Sequence, residues 1–392
     1  MQGDSIAIGS AWFLRHRWDK AKTNASLPPT GCVAGTAIGI VPVRRCVYAR
    51  SQLPIRRHYP MTSALPFDDF RTLMSTLPDG DEAAANRVRT LFSKAEKPAG
   101  SLGRMEDIAA WLAKWSGRAP PAINRATVAI FAGNHGVVAQ GVSPRPAEAT
   151  ARSVELCAAG GAAINQVCLA YDLGLKVFDL ALHLPTGDIT REAALDEKSC
   201  AATMAYGMEA VAGGADLLCL GDLGVGNSTV AAAILCLLYG GSGADWVGPG
   251  SGADAAMIVR KAEAVDAAVA LHGSHRNDPF EILRRVGGRE FAAIAGAIIA
   301  ARAEKVPVIL DGYGAIAAAS VLHAVNPAIL DHCLLAQRPV DPGLARAAER
   351  LGLVPILNLG VAHGEGVGAA LAAGVVKAAA LLSSGMAVAV RA

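Results

Sequence analysis

Gly364-Glu365-Gly366 sets one carboxylate between two residues that have no side chains. Backbone of this kind lets a bound molecule approach closely. A pocket built from it would also draw water away from the carboxylate, the condition under which a glutamate serves as a general base. A solvated loop glutamate is the plain alternative. Two further glycine-bearing runs suit an anion. Gly224-Val225-Gly226-Asn227-Ser228-Thr229 precedes an apolar helix pattern over 230–238, so Asn227, Ser228 or Thr229 can cap a helix whose first amides and dipole favour a phosphate. Gly248-Pro249-Gly250-Ser251-Gly252-Ala253-Asp254 repeats that order ahead of a helix over 255–271, with Lys261 near its first turns. An ordinary capped strand-to-helix turn would read the same way. Neither run holds a G-x-x-x-x-G-K-[ST], and G-x-G-x-x-G fails at its last glycine in both. A phosphate held by amides without these signatures suggests a monophosphate and no metal. Asp222 and Asp311, each just past an apolar run, are further acidic candidates, or else caps.

Such residues need a frame that brings loops together. From about 125 onward a short apolar run, a glycine-containing turn and an Ala-rich helix follow one another repeatedly. The runs fall at 127–132, 176–180, 216–220, 306–310 and 354–359, and helical stretches at 230–238, 255–271, 315–323 and 369–382. This alternation predicts an α/β fold, a doubly wound, Rossmann-like parallel sheet covered on both faces. Ligands of such sheets bind beyond the carboxyl ends of the strands, where these glycine turns lie. A helical stretch over 81–118, broken at 98–103 and carrying Trp111 and Trp115 on one face, is expected to join the C-terminal helix in a smaller helical subdomain. The expected divisions are 1–60, 61–124, 125–368 and 369–392.

The chain has 392 residues, 52% hydrophobic and 18% charged, and reads as a globular protein with a large core. No apolar run reaches the 18 or so residues of a membrane span. The net charge of +2 conceals a basic segment: residues 1–60 hold nine Lys or Arg and two Asp, and the remainder carries −5. A nucleic-acid partner therefore lacks its electrostatic footing. The basic segment shows no regular periodicity and is expected to be a poorly ordered extension with Met61 as the working start, a transit peptide being the alternative. The eight cysteines include no C-x-x-C, which fits a reducing cytoplasm, and the nine histidines offer no metal-binding pattern.

Several widely spaced blocks, in order, carry a resemblance. They are Lys97-Pro-Ala-Gly-Ser-Leu-Gly-Arg104, Asn134-His-Gly-Val-Val-Ala-Gln-Gly-Val-Ser143, Gly160-Gly-Ala-Ala-Ile-Asn165, Gly224 to Thr229, Gly250-Ser-Gly252, Asp311-Gly312 and Gly364-Glu-Gly-Val-Gly-Ala369. With these the chain resembles the nicotinate-nucleotide:dimethylbenzimidazole phosphoribosyltransferase family over about 90–390. The resemblance implies transfer of phosphoribose from nicotinate mononucleotide to 5,6-dimethylbenzimidazole in assembly of the cobalamin nucleotide loop, a homodimer and no cofactor. It implies that Glu365 is the catalytic base, flanked by Gly364 and Gly366. It also implies that the loops of Gly224, Gly226, Asn227, Ser228 and Thr229 and of Gly250, Ser251 and Gly252 hold the phosphoribosyl group, and that Asn134, His135, Gly136, Gln140 and Ser143 line the pocket of the aromatic base; Lys261, Asp222 and Asp311 complete the expected substrate-binding residues. The chain departs from the family at Asn134 and Asp222, where Asp and Glu are common, and at His363, where Leu is usual. A Ser-His-x-Ser-x-Glu-x-Gly-His block is replaced by Leu335-Ala-Gln-Arg-Pro-Val-Asp-Pro-Gly-Leu344. The residues alone also admit a non-catalytic binder of nucleotides or aromatic bases, a phosphoribosyltransferase with another acceptor, or an oxidoreductase on the same fold.

Overall fold

In an all-parallel sheet buried on both faces, strands must be apolar over most of their length, and those here are, with polar residues such as Asp179, Asp222 and Gln337 confined mainly to their carboxyl ends. The computed structural model describes residues 46–48 and 66–388, which belong to one unit, Val43–Ala392. Seven strands, β1 (Cys46–Tyr48), β2 (Ala126–Ala132), β3 (Gly174–Asp179), β4 (Leu217–Leu223), β5 (Val308–Leu310), β6 (Cys333–Gln337) and β7 (Pro355–Leu357), pair in the order β1-β3-β2-β4-β5-β6-β7, all parallel. Alternate residues feed opposite faces, as strand geometry requires. Ala129, Phe131, Leu218, Leu220, Val308 and Leu310 join a core with the helices Asn227–Tyr239, Arg289–Ala303 and Gly312–Val325. Val128, Ile130, Leu217, Cys219 and Ile309 join a second core with Glu82–Lys94, Arg104–Ser116 and Val367–Gly385.

The five expected runs all form strands. Two strands were not expected. β6 runs into the start of the segment that replaces the family's histidine-bearing block, and β1 lies within the basic stretch 1–60, most of which lies outside the described residues. The helical stretch and the C-terminal helix do meet, and through the second core they are continuous with the sheet. The helix Val367–Gly385 corrects one sequence expectation, because its 19 residues are long and apolar enough by length and composition to cross a membrane. Its small side chains are buried against the helices Arg104–Ser116 and Ala163–Tyr171 and the sheet, so it serves as a core helix. The other long apolar stretch, Ala149–Tyr171, consists of two helices interrupted at Gly160 and Gly161.

Parallel strands place their carboxyl ends, and hence the loops that follow, on one edge of the sheet. The loops after β2, β4, β5, β6 and β7 converge there.

Candidate active site

β4 ends in Gly221-Asp222-Leu223, and Gly226 at φ 86° turns the chain into the helix Asn227–Tyr239. Asn227 Nδ2 donates to Asp222 Oδ2 at 2.5 Å, and the Gly314 amide donates to Asp222 Oδ1 at 3.0 Å. Burial, and then the charge of Glu290, push the Asp222 carboxyl up to about 7. One strand over, Asp311 accepts from the Ala369 amide at 3.2 Å at the start of the C-terminal helix. Burial pushes its carboxyl up to about 6, a rise that hydrogen bonds to the amides of Ala369 and Gly368 restrain. A Cβ on Gly368 would lie 2.6 Å from Asp311 Oδ1, so this helix start and this carboxylate approach each other only because residue 368 is glycine.

Lys261 joins the two candidate anion loops. Its ammonium donates to the Gly248 carbonyl at 2.5 Å and to Ser228 Oγ at 3.0 Å, and the residue is 1% exposed. Desolvation brings its pKa down to about 8, with the charge of Asp341 opposing the fall. Lys261 thus remains mostly cationic at neutral pH, fixed beside the amides of both loops.

Glu365 sits at φ 58°, a left-handed conformation that costs a non-glycine residue about 1–2 kcal/mol. Such strain persists where the surroundings over-determine it, and it clusters at functional sites. Glu365 is 9% exposed and its Oε2 has no hydrogen-bond partner; the imidazole of His363 lies beside it, with Nε2 3.4 Å away but without hydrogen-bond geometry. The following residue, Gly366, packs directly on Gly221 of β4, which brings the end of the β7 loop over the start of the β4 loop. A buried carboxylate oxygen without a donor is an acceptor held ready for an N–H from elsewhere.

These groups face one cavity of about 360 Å³. Of the residues singled out in the sequence, it is lined by Ser143, Asp222, Gly224, Gly226, Asn227, Ser228, Gly250, Ser251, Lys261, Asp311, Gly364 and Glu365. Gly252 and Gly366 lie outside its wall, and Thr229 is fully buried inside its helix. Val142 of the Asn134 block also lines the cavity, whereas the other site candidates of that block are directed elsewhere. Asn134 Nδ2 donates to the Leu182 carbonyl, Gly136 abuts the backbone of Thr186, and Gln140 donates to Asp188 Oδ2. His135 pairs with the fully buried Glu290 at 2.5 Å, beside Gly133, Gly224 and Gly288. Arg145 and Tyr313, also on the cavity wall, went unnoticed in the sequence, and Gln337 and Asp341 were noted only as part of the segment that replaces the histidine-bearing block. Tyr313 donates to Asp341 Oδ2 at 2.5 Å, while Gln337 exchanges hydrogen bonds with the backbone of Val361 and steadies the β7 loop. Only Asp341-Pro342-Gly343 carried a local signal, that of a helix cap, and Asp341 does accept from the Gly343 amide. Among the described residues, no group of three or more His, Cys, Asp or Glu is placed to hold a metal ion.

A family model described as Phosphoribosyltransferase matches residues 77–392. The chain is 62% identical over 325 residues to nicotinate-nucleotide–dimethylbenzimidazole phosphoribosyltransferases of Rhizobium johnstonii and Rhizobium meliloti, covering 83% of this chain and 96% of each relative. The solved structure of the enzyme of that name from Thermus thermophilus superposes with a TM-score of 0.72 at 34% identity, over 79% of this chain and 97% of the other.

Proposed function

The chain belongs to the nicotinate-nucleotide–dimethylbenzimidazole phosphoribosyltransferase family, and from that premise we propose how its cavity carries the reaction. The phosphoribosyl group of nicotinate mononucleotide passes to 5,6-dimethylbenzimidazole, giving nicotinate and α-ribazole 5′-phosphate for the lower-ligand nucleotide loop of cobalamin. One acceptor nitrogen forms the new bond to the anomeric carbon. The old carbon–nitrogen bond breaks, and its electron pair neutralises the pyridinium nitrogen, so this leaving group needs no proton. The acceptor has become a cation, and the hydrogen on its second nitrogen must leave.

Glu365 takes that proton. The observation that carries this assignment is its buried, unpartnered Oε2 on the cavity wall, held in a left-handed backbone conformation. The donor's phosphate is assigned to the loops at 224–228 and 249–251, where Lys261 supplies the charge and the loop amides the directional contacts. Fixing the phosphate places the anomeric carbon in line with the acceptor before reaction, which is the main service a site of this kind performs. Pro339, Val340 and Leu344 give the cavity an apolar stretch of wall suited to an aromatic acceptor.

Incubating the protein with both substrates and following nicotinate and α-ribazole 5′-phosphate by chromatography tests the reaction; binding of both without product would overturn it. Lys261 adds a pH-dependent test. Because its ammonium loses its proton as pH rises through about 8, kcat/KM for nicotinate mononucleotide should fall across that range. Lys261→Met should lower kcat/KM by roughly 10–100-fold, the worth of a charged hydrogen bond, and should remove this basic limb. A variant that keeps the limb would assign it to another group.

A further inference from the structure

Resting on the transfer reaction above, we propose that Arg145 binds the pyridine carboxylate of the donor and thereby sets the preference for nicotinate mononucleotide over its carboxamide analogue. The donor brings two anionic groups into the cavity, a phosphate and a ring carboxylate. Asp222, Asp311, Asp341 and Glu365 already line that cavity, so an unaccompanied ring carboxylate would meet repulsion. The cationic or protonatable side chains on the wall are Lys261, His363 and Arg145. Lys261 is held between Ser228 and Gly248, beside the phosphate loops, and His363 faces Glu365. The Arg145 guanidinium has neither an ion pair nor a hydrogen bond among the described residues.

Its backbone is constrained even though its side chain is exposed. Pro144 and Pro146 bracket it, which restricts the conformations of residues 144–146. The Arg145 amide donates to Ser143 Oγ at 3.1 Å, closing a local turn. A guanidinium presented from so stiff a segment suits a planar carboxylate, which it can grip through two parallel hydrogen bonds. Arg145 and Glu365 both line the cavity, from the loops after β2 and β7. The ring carboxylate stays ionised from bound donor to released nicotinate, so the contact acts mainly on KM.

The test compares the full-length protein with Arg145→Gln and Arg145→Lys, using nicotinate mononucleotide and nicotinamide mononucleotide as alternative donors to 5,6-dimethylbenzimidazole. The wild type should prefer the nicotinate donor in kcat/KM. Arg145→Gln should lose roughly 10–100-fold on that donor, chiefly through KM, and far less on the carboxamide donor, with Arg145→Lys intermediate. Equal loss on both donors would place Arg145 on the phosphate and overturn the proposal. So would an unchanged donor ratio in Arg145→Gln, or a wild type that turns over both donors without preference. A wild type that forms no product from either donor would overturn the transfer reaction itself, and this proposal with it.

Discussion

Glu365→Gln should lower kcat by on the order of 10² to 10⁴, the usual worth of a general base, while leaving the fold intact. Glutamine nearly preserves the size and reach of the side chain and can keep a hydrogen bond to the acceptor, but its neutral amide does not accept the proton. Binding of both substrates should therefore survive while nicotinate release slows. Initial rates, together with circular dichroism melting of both proteins, separate a lost base from a lost structure. Full turnover in a folded Glu365→Gln protein would transfer the proton to another carboxylate, and Asp222, already raised to about 7 by burial, would be the next candidate.

Gly221→Ala should cost nearly as much from a residue that touches no substrate. A Cβ at position 221 would fall 2.6 Å from Gly366 Cα and 2.9 Å from the Glu365 carbonyl carbon, both backbone atoms that cannot rotate aside. Relief requires the β7 loop to rise off β4, carrying the base with it. A displacement of about 1 Å can cost 10²-fold in rate, and overpacking of this kind lowers stability by about 1–3 kcal/mol. The measurement is kcat/KM alongside a thermal melt, at a temperature where the variant is fully folded. Wild-type turnover there would show that the seating of Gly366 on Gly221 does not position Glu365.

The sheet was legible because a parallel, doubly covered strand must be largely apolar, and runs such as Ala126–Ala132 announce that plainly. Cys333–Gln337 escaped because Cys, Leu, Leu, Ala and Gln include no β-branched residue and suit a helix as well as a strand. The anion loops and the Glu365 turn were legible through their glycines, which are demanded by local backbone geometry. The cavity positions of Arg145, Tyr313, Gln337 and Asp341 were not, since they follow or end three different strands, β2, β5 and β6, and only the strand order brings those strand ends together. The Asn134 block shows the reverse case. Its residues carry a clear motif, yet Gly136 and Gln140 are tied by hydrogen bonds to the segment 186–188, which holds that turn away from the cavity wall.

The left-handed backbone at Glu365 sets the reaction against the durability of the fold. Position 365 has the torsion angle that glycine adopts without penalty, and every other side chain there carries strain that the rest of the protein must offset. Glu365→Gly should therefore raise the melting temperature while abolishing transfer, since relief of about 1 kcal/mol amounts to a few degrees in a chain of this size. A lineage released from the need for this reaction would drift toward glycine at this position, and retention of the acidic side chain in a working enzyme marks a stability penalty kept for the sake of turnover.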